Sequence, residues 1–544
     1  MTIANSKNNW KQNLVLIAKN TYVWLFQLSR KYERTITTLD QIPAQELNML
    51  SDFGINGIWL VGIWERSRAS KQIKSLYGFK EAAASAYSIL SYDIAQSLGG
   101  RESFLKFREA AHAAGIKIGC DMVPNHTGLD SQWLIDHPDW YIEANGNPSP
   151  DFKFTSPDLS PNENVQIQIE DGYYDQTGAA EVFSYRDIDT HAQRFFYHGN
   201  DGTSMPWNDT AQLNYLVQSV RQAVRSTILQ VAADFDIIRL DAAMTLTRQH
   251  FKRLWFPGDD GKRCIPTREP YNMSDEEFDR LMPDEFWTQV LADIQTHQPE
   301  TLLLAEAFWL MEGYFIKNIG MHRVYNSAFM NMLKDEENAQ FKRFLRDMPS
   351  IQPAALEHLV NYQTTPDEES AISLFGKDEK YFGVCTLLCT LPGLPMFGHG
   401  QLQGYWEKYG MDYLVPTMQE SPDGELFSKQ VARISPLLQH RELFSSSEFF
   451  RLHNFCDQNG DGIENVILFT NYSQGITTLV VFNNSPHHHR GTLQLSQVFD
   501  GNKIEGFTSF SQHPASNVIL SMDPASDSLA FDLPPYASEA FRSV

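Results

Sequence analysis

Short β-branched or aromatic runs alternate with amphipathic stretches from about residue 21 to residue 435, and this alternation constrains the fold more than any other property of the chain. Such a rhythm builds βα units around a parallel sheet, because a parallel strand pair needs a crossover long enough to hold a helix. Candidate strands are YVWLFQL (22–28), INGIWLVGI (55–63), IKIGCDMV (116–123), DIIRLDA (236–242), TLLLAEA (301–307), HRVYNS (322–327), EHLVNY (357–362) and LPMFGH (394–399). Eight of them make a closed (β/α)8 TIM barrel the natural count. Helices are expected over 101–114, 213–233 and 284–297, where apolar residues recur three or four apart, and Gly115 stops the first.

Two stretches break the rhythm. Residues 127–205, after the third strand, are rich in Asp, Asn, Pro, Gly and aromatics, which suits an inserted, loop-dominated subdomain; residues 248–283 form a second excursion. Both hang on βα connections, the face on which barrels of this kind carry their sites. After about residue 436 short alternating strands such as VILFTNY and ITTLVVFNN read as an antiparallel β-sandwich. The expected layout is therefore a barrel from 1–126 and 206–435, an insertion at 127–205, and a sandwich at 436–544. Within the sandwich, DQNGDGIEN (457–465) imitates a calcium loop but has Leu468 where the bidentate Glu belongs, so a hairpin turn is expected.

Charge narrows the partners. With 44 basic and 67 acidic residues the net charge of −23 repels polyphosphate backbones and anionic membranes, so neither nucleic acid nor a membrane is expected. MTIANSKNNWKQNLVLIAKN holds only the short apolar run LVLIA, and no stretch approaches the roughly 18 apolar residues of a spanning helix. Cys120, Cys264, Cys385, Cys389 and Cys456 are odd in number and scattered, which favours reduced thiols in a cytoplasm. Oligomeric state is left open.

Three acids end apolar runs: Asp241 in DIIRLDAA, Glu306 in TLLLAEAFW and Asp367 in LVNYQTTPDEE. A barrel gathers strand-end carboxylates from distant sequence into one mouth, and cleavage of a glycosidic bond needs at least two. Alternate residues of a strand share a face, so Arg239 projects beside Asp241 and can hold it charged, as a nucleophile requires. Glu306 suits a general acid, with Phe308 and Trp309 as an apolar wall that raises its pKa. Trp64 and Arg66, just past the second strand, also face the expected mouth.

The motifs DMVPNH (Asp121, Asn125, His126), IIRLD, LLAEAFW and the acid at 367 together resemble the α-amylase superfamily of glycoside hydrolases. That resemblance implies a retaining mechanism through a covalent glycosyl-enzyme, with Asp367 binding sugar hydroxyls and favouring the oxocarbenium-like transition state. It also implies that His126 hydrogen-bonds a sugar, that Asp121 braces Arg239, and that Tyr87 stacks on the sugar at the cleavage point. The chain departs from the pattern in three places. In the stretch Asp241, Ala242, Ala243, Met244, Thr245, Met244 and Thr245 stand where many members of the family carry substrate- and metal-binding Lys and His, so a familiar calcium ligand is missing. Only Asn125 remains to hold a cation with carboxylates of the insertion, and no cofactor is expected. Pro366 replaces the histidine usual before the third acid, and GHGQL (398–402) lacks the acid that often follows. The expected activity is hydrolysis of α-1,4 bonds in maltooligosaccharides or glycogen-like polymers. A glucano- or maltosyltransferase on the same fold, or a noncatalytic glucan-binding protein, are the alternatives.

Overall fold

In a computed structural model that describes residues 10–76, 78, 83–203, 205–258, 265–308, 310–494, 506–511, 518–523 and 528–544, eight parallel strands close into a barrel. They are β1 (Leu16–Asn20), β2 (Gly57–Val61), β3 (Lys117–Met122), β4 (Ile237–Leu240), β5 (Leu302–Ala305), β6 (Arg323–Tyr325), β7 (Leu359–Tyr362) and β8 (Leu394–Phe397), paired in sequence order around the ring. Closure comes from β1 against β8, with Leu16 opposite Met396 and Ile17 opposite Phe397. The strands are buried on both faces, inward by barrel side chains and outward by helices, which is why they read as continuous apolar runs rather than alternating ones.

The first strand is not where the sequence pattern puts it. YVWLFQL is helical: α1 spans Thr21–Lys31, and β1 is the preceding LIAKN. Burial of Thr21, Trp24, Leu25 and Leu28 follows the helical period, and the Asn20 side chain caps the helix by accepting from the Val23 amide at 3.2 Å. Aromatic and β-branched density imitates a strand here, while Lys19 disguises the real one. That lysine is buried at 1% exposure, its Nζ 5.5 Å from the Trp24 ring centre, and burial pulls its pKa down to about 8. The other helices fall where periodicity places them, as α2 (Gly100–Ala113), α3 (Gln218–Ala232) and α4 (Phe286–His297).

The insertion after β3 holds more sheet than its composition suggests. Glu143–Ala144, Gln193–Tyr197, Val182–Asp187 and Val165–Ile169 form a four-stranded antiparallel sheet in that order. In VQIQI (165–169), Val165, Ile167 and Ile169 are buried and the two glutamines are not, a period-two pattern lying inside a polar stretch. His126–Gly128 pairs with Thr210–Gln212 and ties the two ends of the insertion together.

C-terminal to the barrel, a five-stranded and a three-stranded antiparallel sheet face each other. Val466, Leu468, Leu479 and Val481 from one pack with Leu493, Leu529 and Phe531 from the other. Residues 495–505 and Cys264 lie outside the described residues. At 457–465 the Asp457 carboxylate accepts from the amides of Asn459 and Asp461, the self-bonded turn expected there. Among the described residues no helix is long and apolar enough to cross a membrane.

Candidate active site

Arg239 organises the mouth of the barrel. Its strand β4 lies between β3 and β5, in register with Asp121 on one side and Leu304 on the other, so the side chain rises inside the ring where strand-end acids converge. Nη1 lies 3.2 Å from Asp121 Oδ1 and 2.5 Å from Asp241 Oδ1, while Nη2 lies 2.7 Å from Glu306 Oε1 and 3.6 Å from Asp367 Oδ2. The three acids of the sequence pattern thus meet on one guanidinium. Trp59, Tyr87 and Tyr325 surround it with ring centres 5.4, 5.1 and 5.7 Å away, a cation–π cage that excludes water.

Four carboxyls around one buried cation leave a surplus of negative charge, and protons relieve it. Burial pushes Glu306 up to about 8; Asp241 and Asp367 add to the rise, and Arg239 and the Ala242 amide oppose it. Asp121 is raised to about 7 by burial against the pull of Arg239. Asp241 and Asp367 are also raised by burial, with the guanidinium as the main opposing influence on each. Asp241 makes the shortest contact with Arg239, a charge-assisted bond that favours its ionised form. Of these two acids, burial favours the protonated form of Glu306 and the guanidinium contact favours the charged form of Asp241.

Immediately after Asp241, Ala242 adopts the left-handed conformation (φ 46°, ψ 37°). This is an uncommon backbone for a residue with a Cβ. It turns the Ala242 N–H inward to donate to Glu306 Oε2 at 2.7 Å. The segment that carries Asp241 thereby also fixes the second acid.

A cavity of about 240 Å³ opens over this cluster, lined by Tyr87, His126, Asp241, Glu306 and Asp367. The His126 Nε2 faces the Tyr87 carbonyl at 3.2 Å, its ring rests 5.1 Å from that of Trp207, and burial lowers its pKa to about 4, so the imidazole is neutral. Asp121 sits beneath the cavity as a brace, accepting from Trp59 Nε1 at 3.0 Å as well as from Arg239. Phe308 lines the cavity, and Trp309 lies outside the described residues. At the altered TPD segment the Asp367 amide donates to Thr365 Oγ1, and Lys408 Nζ donates to the Asp367 carbonyl at 2.5 Å.

Two expected wall residues are structural instead. Trp64 is 3% exposed, packs edge-on against Tyr92 and Phe235, and gives its indole N–H to the Asp121 carbonyl at 2.7 Å. The turn after β2 folds its side chain back into the barrel flank. Arg66 donates to the carbonyls of Gly62, Ala84 and Met411 and so ties the loops together from below. Asn125 is equally committed: its Oδ1 accepts from Gln212 Nε2 at 2.9 Å and its Nδ2 donates back to Gln212 Oε1 at 3.0 Å. Among the described residues no three His, Cys, Asp or Glu gather as a metal set.

Sequence reasoning missed Trp207 and Asp209, which close the cavity from the end of the insertion. Asp209 is held by Ser70 Oγ on its carboxylate and Ser88 Oγ on its carbonyl. They stand in a Gly/Asp/Asn-rich stretch without periodicity, so an aromatic two residues before an acid in a barrel-face loop was their one signal. Tyr325 and Trp59 were also passed over, because strand residues facing a barrel interior look like any other core aromatics.

The family model for the alpha-amylase catalytic domain matches residues 31–435. Similar solved structures include an alpha-amylase from H. orenii (16% identity, 97% of this chain and 99% of that one, TM-score 0.63). A noncanonic maltogenic alpha-amylase from Thermotoga neapolitana aligns at 15% identity over 98% and 96% of the two chains (TM-score 0.59), and a Nostoc punctiforme debranching enzyme at 14% over 98% of each (TM-score 0.61). At such identities the structures share the fold alone. The family match spans well over half of the chain, across every barrel strand from β2 to β8, and the protein belongs to the alpha-amylase family.

Proposed function

We propose that the protein is a retaining α-glucan hydrolase that cleaves α-1,4-glucosidic bonds of maltooligosaccharides or glycogen-like polymers. The observation that carries this reading is the single buried guanidinium engaging Asp241 and Glu306, at the ends of β4 and β5, and Asp367, in the loop after β7. Asp241, the most directly paired carboxylate, attacks the anomeric carbon as Glu306 gives its proton to the departing glycosidic oxygen; the C–O bond breaks and a covalent glycosyl–Asp241 ester forms. Water then loses a proton to Glu306 and attacks the same carbon, which releases Asp241 and restores both groups. A shared guanidinium supports the short carboxyl separation of about 5 to 5.5 Å on which retention depends. Asp367, partly exposed in the cavity, takes the role of binding sugar hydroxyls as charge develops at the anomeric centre, with Tyr87 and His126 beside it. The reaction needs no cofactor, and a cytoplasmic location rests on the odd, scattered cysteines.

Incubation with maltoheptaose, followed by chromatography and early NMR of the product anomer, tests the proposal. Shorter α-anomeric products are expected. Longer products would make the enzyme a transglycosylase, β-anomers would remove retention, and no turnover would leave a glucan-binding protein. Asp241→Asn should lower kcat by about 10⁴-fold or more with an unchanged circular dichroism spectrum, and near-normal turnover would refute its role.

A further inference from the structure

The catalytic cavity has two unlike walls. Glu306 and Phe308 stand at the β5 end, Asp241 follows β4, and the far wall is made of Ser85 and Tyr87 from the connection after β2, His126 from the end of β3, and Trp207 and Asp209 from the end of the insertion. Thr210–Gln212 pairs with His126–Gly128, which holds these last residues on the β3 side. An acid that protonates the departing oxygen stands on the leaving-group side of the bond, so the glycosyl unit kept on Asp241 lies towards the far wall. That wall is close-packed: a Cβ added at Gly199 would meet Trp207 Cε3 at 2.9 Å and His126 Cγ at 3.2 Å, and the Trp207 amide donates to the Gly199 carbonyl at 2.8 Å. At about 240 Å³ the cavity is smaller than the roughly 300 to 1,000 Å³ of pockets that take a drug-sized ligand, so the far side has room for a single sugar ring.

The polar groups of the far wall are committed except at one place. His126 faces the Tyr87 carbonyl with Nε2, and a carbonyl only accepts, so the neutral ring spends its one N–H there; its Nδ1 lies 3.4 Å from Asn125 Nδ2. No donor of this imidazole is left for a sugar. Asp209 is fixed by Ser70 Oγ, which donates to Oδ2 at 2.5 Å, and by Ser88 Oγ, which donates to its carbonyl at 2.7 Å. Among the described residues nothing donates to its Oδ1. A held carboxylate oxygen on a cavity wall, without a protein donor, is an acceptor set for a hydroxyl.

We propose that Asp209 accepts the free 4-hydroxyl of the glucose at the non-reducing chain end, which makes the cavity an end pocket and the enzyme exo-acting, one glucosyl unit per turnover. C4 lies across the sugar ring from the anomeric carbon, so its hydroxyl faces the wall opposite Glu306; a chain continuing through that oxygen would offer no proton to Asp209 and would run into Trp207. The inference rests on the proposed α-glucan activity for its substrate. Wild-type protein is compared on maltoheptaose and on maltoheptaose whose terminal 4- and 6-hydroxyls are tied in an ethylidene acetal. Glucose and maltohexaose are the expected first products, and kcat/KM on the capped sugar should be at least about 100-fold lower. Asp209→Asn keeps the size and an oxygen for Ser70; it should lower kcat/KM on maltoheptaose about 10- to 100-fold, the scale of one hydrogen bond to a charged group, and shrink the discrimination against the capped sugar by a similar factor. A merely structural role would slow both sugars alike. Equal cleavage of the two sugars, maltose or maltotriose among the first products, or an unchanged discrimination in Asp209→Asn would overturn the end pocket while leaving the hydrolase in place. If neither sugar is cleaved the hydrolase falls, and calorimetry on the wild-type protein decides the pocket: maltoheptaose bound at least about tenfold more tightly than the capped sugar keeps it, and equal affinities or no binding overturn it.

Discussion

Glu306→Gln should lose less stability than wild type as pH rises, while it abolishes turnover. Burial raises the Glu306 pKa from the usual 4.5 to about 8, so the folded protein holds this proton more tightly than the unfolded chain does. The stabilisation that the proton confers is complete below about pH 4.5, declines through the intervening range, and is gone above pH 8. At about 1.4 kcal/mol per pH unit the ceiling is about 5 kcal/mol. Protonation of any one carboxyl on Arg239 relieves the others, so we assign about half of that to Glu306 itself. The substituted glutamine titrates nowhere in this range and removes the slope. Its amide cannot accept from both Arg239 and Ala242, a cost that is the same at every pH. For a chain of this size, an unfolding entropy of about 1.1 kcal/mol/K converts the difference to about 1 °C per kcal/mol. Measured by calorimetry at constant ionic strength, the Tm of Glu306→Gln minus that of wild type should therefore rise by about 2 to 3 °C between pH 5 and pH 9. The difference between the two proteins isolates this effect from buried histidines such as His126, whose lowered pKa gives stability that is lost in the opposite direction, as pH falls from 6.5 towards 4. A difference that stays flat or falls with pH would refute the placement of the proton on Glu306.

Lys408→Met removes a cation that lowers the Asp367 pKa, so the acid limb of the kcat/KM profile should move to higher pH; an unmoved limb would show that Asp367 ionisation does not govern it. Trp64→Phe leaves the buried Asp121 carbonyl without its indole donor and should cost about 1 to 3 kcal/mol of stability with KM for maltoheptaose within about twofold. A large KM change with unchanged Tm would return Trp64 to the sugar-binding wall.

The strands that could be read from sequence are those buried on both faces, because β2, β4 and β5 write their environment as unbroken apolar text. β1 could not, since Lys19 and Asn20 occupy two of its five positions for reasons that appear only with α1 and its cap in place. Asp241, Glu306 and Asp367 were visible because strand ends in this architecture share one destination. Trp64 was misplaced by the same logic: proximity to a strand end says nothing of which way a turn sends a side chain. Trp207 and Asp209 arrive through an insertion whose path depends on long-range packing, and no local periodicity announces that.

Barrel closure has a temporal consequence. The pairing of Leu16 with Met396 sets the two edges of the ring some 380 residues apart along the nascent chain. At a synthesis rate of about 5 to 20 residues per second, β1 waits about 20 to 80 seconds for its second neighbour to emerge. Through that interval β1 presents an open hydrogen-bonding edge, the kind that recruits strands from other molecules. Lys19, costly to bury in the finished ring, is still charged and solvated then, directly after the apolar residues Leu16–Ala18 of that edge. Asp121, Asp241 and Glu306 come together on the adjacent strands β3 to β5, but Asp367, carried beyond β7, joins them only late in that interval, so the full repulsion among the four acids is imposed when most of the barrel's strands have already emerged.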